Sequence, residues 1–564
     1  MEPYFSGAAG PEQQNSPYTT AGAYFAYGLI HQNQHTEELV NYFLDGYRNS
    51  GGNEAVMHGV SLGLGLVGMA TKMPNIYNEL KQTLYNNADS AIIGEAAGYG
   101  MGLVMIGAAD QESIADTLNH IEDQNHEKII RALSMSLALQ MYGKEAQADT
   151  LVEQMVRSKD SIVRYGAMYA IGAAYAGTSN NSAVQKLLHY AVSDVNDDVK
   201  RAALTNLGFL LLRKPQAVPE SVKHLAESYN PHLRYGSAMA VGIGCAGTGL
   251  TEAIKLLAPL TNDQVDFVRQ GALIALSMVF IQITEAQEPK VATIKKLYNK
   301  MINDKHEDIL SRMGAILSVG IINAAGRNAT ISLTTRDGNL RQNAIIGLMM
   351  FTQHWYWYPM LNFLNLAFTP TALIGLNKEL KVPKSFKCIS NAKPSTYKYP
   401  EFIKIDKDKK KEKVQAAVLS TTTKAKARRD RKEGRGKTGE DVSEITNPNQ
   451  KDKEEGKTGD NAGKGEDAEM DDGKKDDKEK KDGDDEKKKE EDEPDFQELK
   501  NPSRVLKAQE TKIVYSDEGR YKPVLETRFG GFVILREINA AGEGGAEEFY
   551  DDEERDADAP NPDL

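Results

Sequence analysis

The chain has 564 residues, more than one ordinary domain, and 40% of them are hydrophobic, enough for a large core. Its 68 Lys and Arg against 80 Asp and Glu give a net charge of −12. Two isolated cysteines, Cys245 and Cys388, exclude a disulfide framework and a structural zinc site. The first twenty residues carry no apolar signal region, and the longest apolar run, residues 271–283, falls short of a membrane span. A reducing, cytosolic or nuclear setting follows, with no membrane partner.

After a polar segment, residues 1–20, a seven-residue pattern recurs nine times at intervals of 34 to 43 residues. Small residues open it (Gly22, Gly59, Gly94, Ala132, Gly166, Ala202, Gly236, Gly271, Gly314), and small residues close it six places on (Gly28, Gly65, Gly100, Ala138, Gly172, Gly208, Gly242, Ser277, Gly320). A period in this range marks a solenoid. At about 100° per residue the two positions lie roughly 120° apart on a helix, so small residues occupy two sides. A helical glycine costs roughly 1 kcal/mol relative to alanine, which predicts that a neighbouring helix comes close on each side. Amphipathic stretches such as residues 37–47, 182–192, 251–260 and 291–302 alternate with this pattern, so each repeat is a helix pair.

Ahead of several glycine-rich helices stands an acid or hydroxyl residue suited to an N-cap, as in Ser161, Asp197 and Asp266. The bases Arg164, Lys200, Arg234, Arg269 and Arg312 each precede the opening small residue by two and should line up on stacking. They form either a groove for acidic partners or, as charge rows usually do, a ladder paired with acids of adjacent repeats. The array spans residues 21–350, with a degenerate tenth copy around 344–350. Residues 351–368 (FTQHWYWYPMLNFLNLAF) concentrate both tryptophans at its end, where a solenoid's exposed face needs a cap.

No strand-rich stretch is expected before about residue 370. Residues 351–404 hold this cap and the first half of a β-rich module, and residues 499–540 hold the second half, with Gly530-Gly531 as a turn. Between them, residues 405–498 form a charged insertion. Its stretch 451–490 has 29 charged residues in 40 and no aliphatic or aromatic side chain beyond alanine and one methionine, so it is expected to be disordered. The basic segment 424–432 (KAKARRDRK) reads either as a nuclear localisation signal or nucleic-acid arm or, lacking interleaved aromatics, as a merely solvated run, and no nucleic-acid partner is expected. Residues 541–564 are an acidic tail with 10 acids and one Arg.

Catalytic motifs fail on inspection. Residues 63–68 and 242–247 satisfy G-x-G-x-x-G, but neither follows a strand and the repeat already explains both. His126-Glu127 and His306-Glu307 lack the second histidine of H-E-x-x-H. No nucleophile elbow or Walker sequence is present. Neither an enzyme nor a cofactor is expected.

The repeat, with the stretches SDVNDDVKRAA (193–203), ESYNPHLRYGSAMAVG (227–242), CAGTG (245–249), VRQGALIA (268–275) and FTPTALIGLNKELKVPK (368–384), resembles the proteasome/cyclosome-repeat scaffold family, in particular the larger non-ATPase subunits of the proteasome regulatory particle base. The resemblance implies a repeat array closed, or nearly closed, into an α-helical toroid. It also implies a non-enzymatic scaffold in cytoplasm and nucleus, which holds ATPase-ring subunits, lid subunits including the deubiquitinase, and a ubiquitin receptor with a pleckstrin-like domain. In that family an acidic, aromatic C-terminal peptide anchors the receptor; Phe549, Tyr550, Asp551 and Asp552 match it in kind, without the proline-rich lead-in. The family's long N-terminal helical rod is missing ahead of the first repeat, which implies a fragment or a shortened product. The alternatives are another helical-repeat adaptor, such as a nuclear-transport receptor, or a cyclosome scaffold subunit.

Overall fold

The computed structural model describes residues 16–335, 337–398, 493–515, 519–525 and 531–538. The charged stretch 451–490, the basic segment 424–432 and the acidic tail all lie outside the described residues.

Helices form where the two sequence patterns place them. In chain order they are α1 (Pro17–Ile30), α2 (Glu37–Asn49), α3 (Glu54–Val67), α4 (Pro74–Asn86), α5 (Ala91–Val104), α6 (Gln111–Asp123), α7 (Glu127–Gln140), α8 (Asp149–Val156), α9 (Ser161–Ala174), α10 (Asn181–Ser193), α11 (Asp197–Leu210), α12 (Ala217–Ala226), α13 (Pro231–Gly244), α14 (Thr251–Leu260), α15 (Asp266–Phe280), α16 (Lys290–Asn303), α17 (Ile309–Ile322) and α18 (Gln342–Phe351). Odd-numbered helices up to α17 carry the glycine pattern, and each packs on the next odd-numbered one. Even-numbered helices up to α16 bury a single face against this inner layer.

The small residues work on two sides, as the spacing predicts. A Cβ on the closing residue would usually strike the following repeat: Gly65 meets Gly100 Cα at 2.6 Å and Gly242 meets Ala275 Cα at 2.7 Å, whereas Gly100 meets Ser61 and Leu80 of the preceding one. A Cβ on the opening residue usually strikes the preceding one: Gly166 meets Ser134 Cβ at 2.6 Å, Gly236 the Arg201 carbonyl at 2.9 Å and Gly314 Gln270 Cα at 2.8 Å. Gly22 in the first repeat and Gly320 in the ninth are exceptions, with no described atom within 4 Å of such a Cβ.

The N-caps fall one residue earlier than the sequence suggests. Asp160 accepts from Ile162 N, Asn196 from Asp198 and Val199 N, and Asn230 from His232 N. Asp197 sits in the first turn instead, where its charge suits the helix dipole and it accepts from Asn230 and Lys200.

Residues 342–367 are neither a tenth repeat nor an end cap. After α18 the chain continues through 3₁₀ turns at Thr352–Trp355 and Tyr358–Ala367, and these run against the inner helices of almost the whole array. Phe363 packs on Phe25 of α1 (ring centroids 5.3 Å apart), and Trp357 on His58 of α3 (5.7 Å). The Arg131 guanidinium of α7 lies 3.6 Å from the Tyr356 ring centroid. From α9, Tyr165 donates to Gln353 at 3.0 Å and Tyr169 pairs with Thr352 at 2.7 Å. Arg201 of α11 lies 3.8 Å from the Trp355 ring, which also meets Tyr235 of α13 and Phe267 of α15 at 4.9 and 5.3 Å.

That contact set fixes the curvature. Trp355 touches the eighth repeat and Phe363 the first, yet eight residues of chain span at most about 29 Å. Seven successive helix spacings of 8–10 Å laid straight would span about twice that or more. The array therefore curls around residues 351–367, which form its hub. A polar cluster lies against the hub. Burial pushes the Glu95 carboxyl up to about 7, against the pull of Lys128 and Arg131. Burial also lowers the His58 imidazole to about 4, with Lys128 reinforcing it.

The β-structure is split as expected, with one addition. Strand β1 (Ala329–Ile331) precedes the hub and pairs antiparallel with β2 (Phe368–Pro370), so strand pairing begins some forty residues earlier than the sequence indicates. The remaining strands are β3 (Ala372–Leu376), β4 (Lys387–Ser390), β5 (Gln497–Lys500), β6 (Ser503–Arg504), β7 (Ile513–Tyr515), β8 (Tyr521–Pro523) and β9 (Gly531–Glu537). They form sheets ordered β6-β3-β9-β8 and β5-β4-β7, each combining strands from both sides of the insertion. β5 begins inside the stretch read as insertion. Leu373, Phe386, Cys388, Leu499, Val533 and Leu535 share the core, and buried Asn501 bonds to Gly375 N and O and to the Pro383 carbonyl. Gln282 and Thr284, which follow α15, bond Thr371 and the Thr396 carbonyl and fasten this region to the array.

Candidate interaction surface

The row of bases is mostly a structural ladder. Arg164 makes a two-pronged pair with Asp194 (2.9 and 3.2 Å), and Arg234 does the same with Asp263 (2.7 and 2.8 Å). In each case the acid lies at the loop of the following repeat. Arg269 reaches Glu307 and Asp308 in the same way. The Arg164 and Lys200 charges and the Asn196 amide hold Asp194 below the usual carboxylate range even though burial works against them. Lys200 and Arg312 depart from the pattern: Lys200 pairs with Asp197 of its own helix, and Arg312 donates to the carbonyls of Asp304 and Glu307. The reading of this row as a groove for acidic partners loses its basis, because its charges are met within the array.

The same arginines stiffen the loops that carry them. Arg234 Nη1 donates to the Ser228 and Tyr229 carbonyls, both at 2.9 Å, and Arg164 Nη1 holds the equivalent Ser158 and Lys159 carbonyls. On the loop braced by Arg234, Tyr229 is 99% exposed, and Val195, next to the Asp194 that Arg164 holds, is 91% exposed. Both stand immediately before an N-cap, where an apolar residue ordinarily packs on the fourth helical residue. Here that residue is Lys200 or Arg234, so neither Val195 nor Tyr229 has an apolar mate on its own helix. An apolar side chain before an Asn cap, with a base four places on, was a legible signal that sequence reading passed over. A preordered tyrosine such as Tyr229 makes an effective anchor for a protein partner, and Val195 adds apolar contact area on the neighbouring loop of the array.

Elsewhere the chemistry is closed off. Gly63, Gly65, Gly242 and Gly244 lie within α3 and α13 and Gly68 caps α3, all pressed against neighbouring residues, while Gly247 follows α13 and faces Thr330 and Ile331. Burial pushes the Cys245 thiol up to about 12 and the Cys388 thiol up to about 11, so neither is a thiolate near neutrality. Among the described residues no group of three or more His, Cys, Asp or Glu is placed to hold a metal ion, and no helix is long and apolar enough to cross a membrane. Phe549, Tyr550, Asp551 and Asp552 lie outside the described residues.

A curled array of helix pairs, an internal hub and loops presenting bare apolar side chains define a helical-repeat protein. Residues 371–543 match the family described as the 26S proteasome regulatory subunit RPN2 C-terminal domain, and residues 184–277 match HEAT repeats. The chain is 48% identical over 539 residues to the 26S proteasome non-ATPase regulatory subunit 1 homolog A of Arabidopsis thaliana, a match that covers 95% of this chain and 52% of the relative. It is 50% identical over 401 residues to the 26S proteasome non-ATPase regulatory subunit 1 of Drosophila melanogaster, covering 71% of this chain and 38% of that one. It is 44% identical over 400 residues to the 26S proteasome regulatory subunit rpn2 of Schizosaccharomyces pombe, covering 71% and 41%. The chain thus carries the RPN2 C-terminal family domain and is similar over most of its length to these proteasome regulatory subunits, and it spans about half the length of these relatives or less.

Proposed function

We propose that the chain is a non-catalytic scaffold subunit of the proteasome regulatory particle, working in cytosol and nucleus. It would hold ATPase-ring subunits, lid subunits including the deubiquitinase, and a ubiquitin receptor with a pleckstrin-like domain in register, so that ubiquitylated proteins reach the unfolding machinery. The observation that carries this reading is 48% identity sustained over 95% of the chain, through the repeats and both halves of the β-region. The exposed Val195 and Tyr229 supply a physical means of docking, and the acidic tail around Phe549 and Tyr550 supplies a tether for one further partner.

Affinity purification of the tagged full chain from eukaryotic cells, with quantitative mass spectrometry, tests the proposal. Proteasome ATPase and lid subunits should be recovered in near-stoichiometric amounts. A Val195→Ser/Tyr229→Ser variant should keep its melting temperature and lose most of that recovery, by about tenfold for an anchor contributing roughly 1.4 kcal/mol. Recovery of no proteasome subunit by the parent chain would overturn the assignment.

A further inference from the structure

A pocket of about 360 Å³ opens where distant stretches meet: Leu212 and Arg213 after α11, Thr248 after α13, Ser332 and Leu333 after β1, and Lys507 after β6. Two of its lining residues are cations and none is a carboxylate, in a chain whose net charge is −12. Lys507 Nζ donates to Ser332 Oγ at 3.0 Å, and Arg213 Nη2 donates to the Gly338 carbonyl at 3.0 Å. Each bond uses one N–H of a side chain that has several. Among the described residues neither cation has an ion-pair partner within 4.0 Å. Burial lowers the Lys507 ammonium; Glu510 acts against that and the nearby Arg341 adds to it. Arg341 itself donates to Thr369 and to the Ser332 carbonyl, so positive charge collects on this side, with the Glu510 carboxylate acting on Lys507 from outside the pocket lining.

We propose that this pocket binds a phosphoryl group. A planar guanidinium and a compact ammonium facing one cavity suit a tetrahedral dianion, whereas a single carboxylate would neutralise only one of them. The pocket has more room than a bare phosphate fills, and Leu212, Ile243 and Leu333 give it an apolar wall. Those two features favour a phosphorylated side chain with an apolar neighbour over the free ion. A bound dianion would join Arg213 of the array directly to Lys507 of the β-region, which otherwise meet through the segment carrying Ser332 and Gly338. The proposal is independent of assembly with other subunits.

Calorimetric titration of the full chain with inorganic phosphate, with a pentapeptide carrying phosphoserine between two leucines, and with its unphosphorylated counterpart tests it. The phosphopeptide should bind and the unphosphorylated peptide should not. Lys507→Gln and Arg213→Gln should each weaken binding at least tenfold with the melting temperature unchanged, and Lys507→Arg should retain it. A phosphopeptide at least tenfold tighter than phosphate assigns the ligand to a polypeptide, and equal affinities assign it to the free ion; both outcomes support the pocket. No binding of either phosphorylated probe to the folded chain, or binding unmoved in the double variant, overturns it.

Discussion

At a single position, the same residue type has opposite value depending on where its repeat stands. Gly236 has the Arg201 carbonyl and Leu204 Cβ within 2.9 Å of where a Cβ would lie, and Gly166 is as tightly met by Ser134, whereas Gly22 and Gly320 meet nothing described within 4 Å. Gly166→Leu and Gly236→Leu should therefore destabilise the fold by about 3 kcal/mol or more, since overpacking adds to displaced helices. Gly22→Ala and Gly320→Ala should stabilise it by up to about 1 kcal/mol, because only helix propensity changes. Denaturant midpoints of the four variants check this, and a loss at Gly22 equal to that at Gly236 would refute the two-sided burial. Glu95 offers a second test. Its carboxyl titrates near 4.5 when free and at about 7 when folded, so between those values the folded chain holds a proton that the unfolded chain releases. Stability then falls as pH rises through this window, and the full penalty, on the order of 3 kcal/mol, stands above about pH 7. Glu95→Gln should be the more stable form at pH 8, with the gap closing toward pH 5. The opposing loss from His58 below about 6.5 is common to both proteins and cancels. Urea unfolding at several pH values decides it; parallel curves for the two proteins would mean that Glu95 is not desolvated.

Among the elements, those whose signal is periodic were legible in the sequence. The two sides of small residues predicted the inner layer, the amphipathic stretches predicted the outer one, and β-like runs on either side of the insertion predicted sheets shared across it. The ladder was legible as one of two readings, because a row of bases announces its alignment but not its acids, which lie 29 or 30 residues away in the next loop. The caps were misplaced by one residue because adjacent acids and amides compete for that role, and only backbone geometry shows that Asn196 rather than Asp197 has the extended conformation of a cap. The hub was not legible at all. Trp355, Tyr356 and Trp357 mark residues 351–368 as a place of burial, but their partners Arg131, Arg201 and Tyr235 lie on three separate helices far back in the chain. Nothing in local pattern distinguishes an aromatic stretch that covers an end from one that fills an interior. The exposure of Tyr229 and Val195 needed one further step, to ask what their cap partners were.

For the whole array, the hub changes how stability is distributed. An open stack is held by contacts between nearest neighbours, so it can unravel from an end. Here residues 351–367 touch helices from the first repeat to the eighth, and the loss of one hub side chain reaches several joints together. Trp355→Ala, which removes contacts to Arg201, Tyr235 and Phe267, should cost about 3–5 kcal/mol. It should also lower the far- and near-ultraviolet circular dichroism transitions together, as a single cooperative step. Separate transitions in the parent protein would show that the repeats unfold piecemeal and that the hub does not couple them. The mechanical corollary concerns stiffness. A curved stack of helices without an internal strut is a spring, and its softest mode is a change of radius that spreads or narrows everything mounted along its outer edge. A strut tied to both limbs of the curve removes that mode, so the loops bearing Val195 and Tyr229 keep a constant separation even when a load pulls on one side.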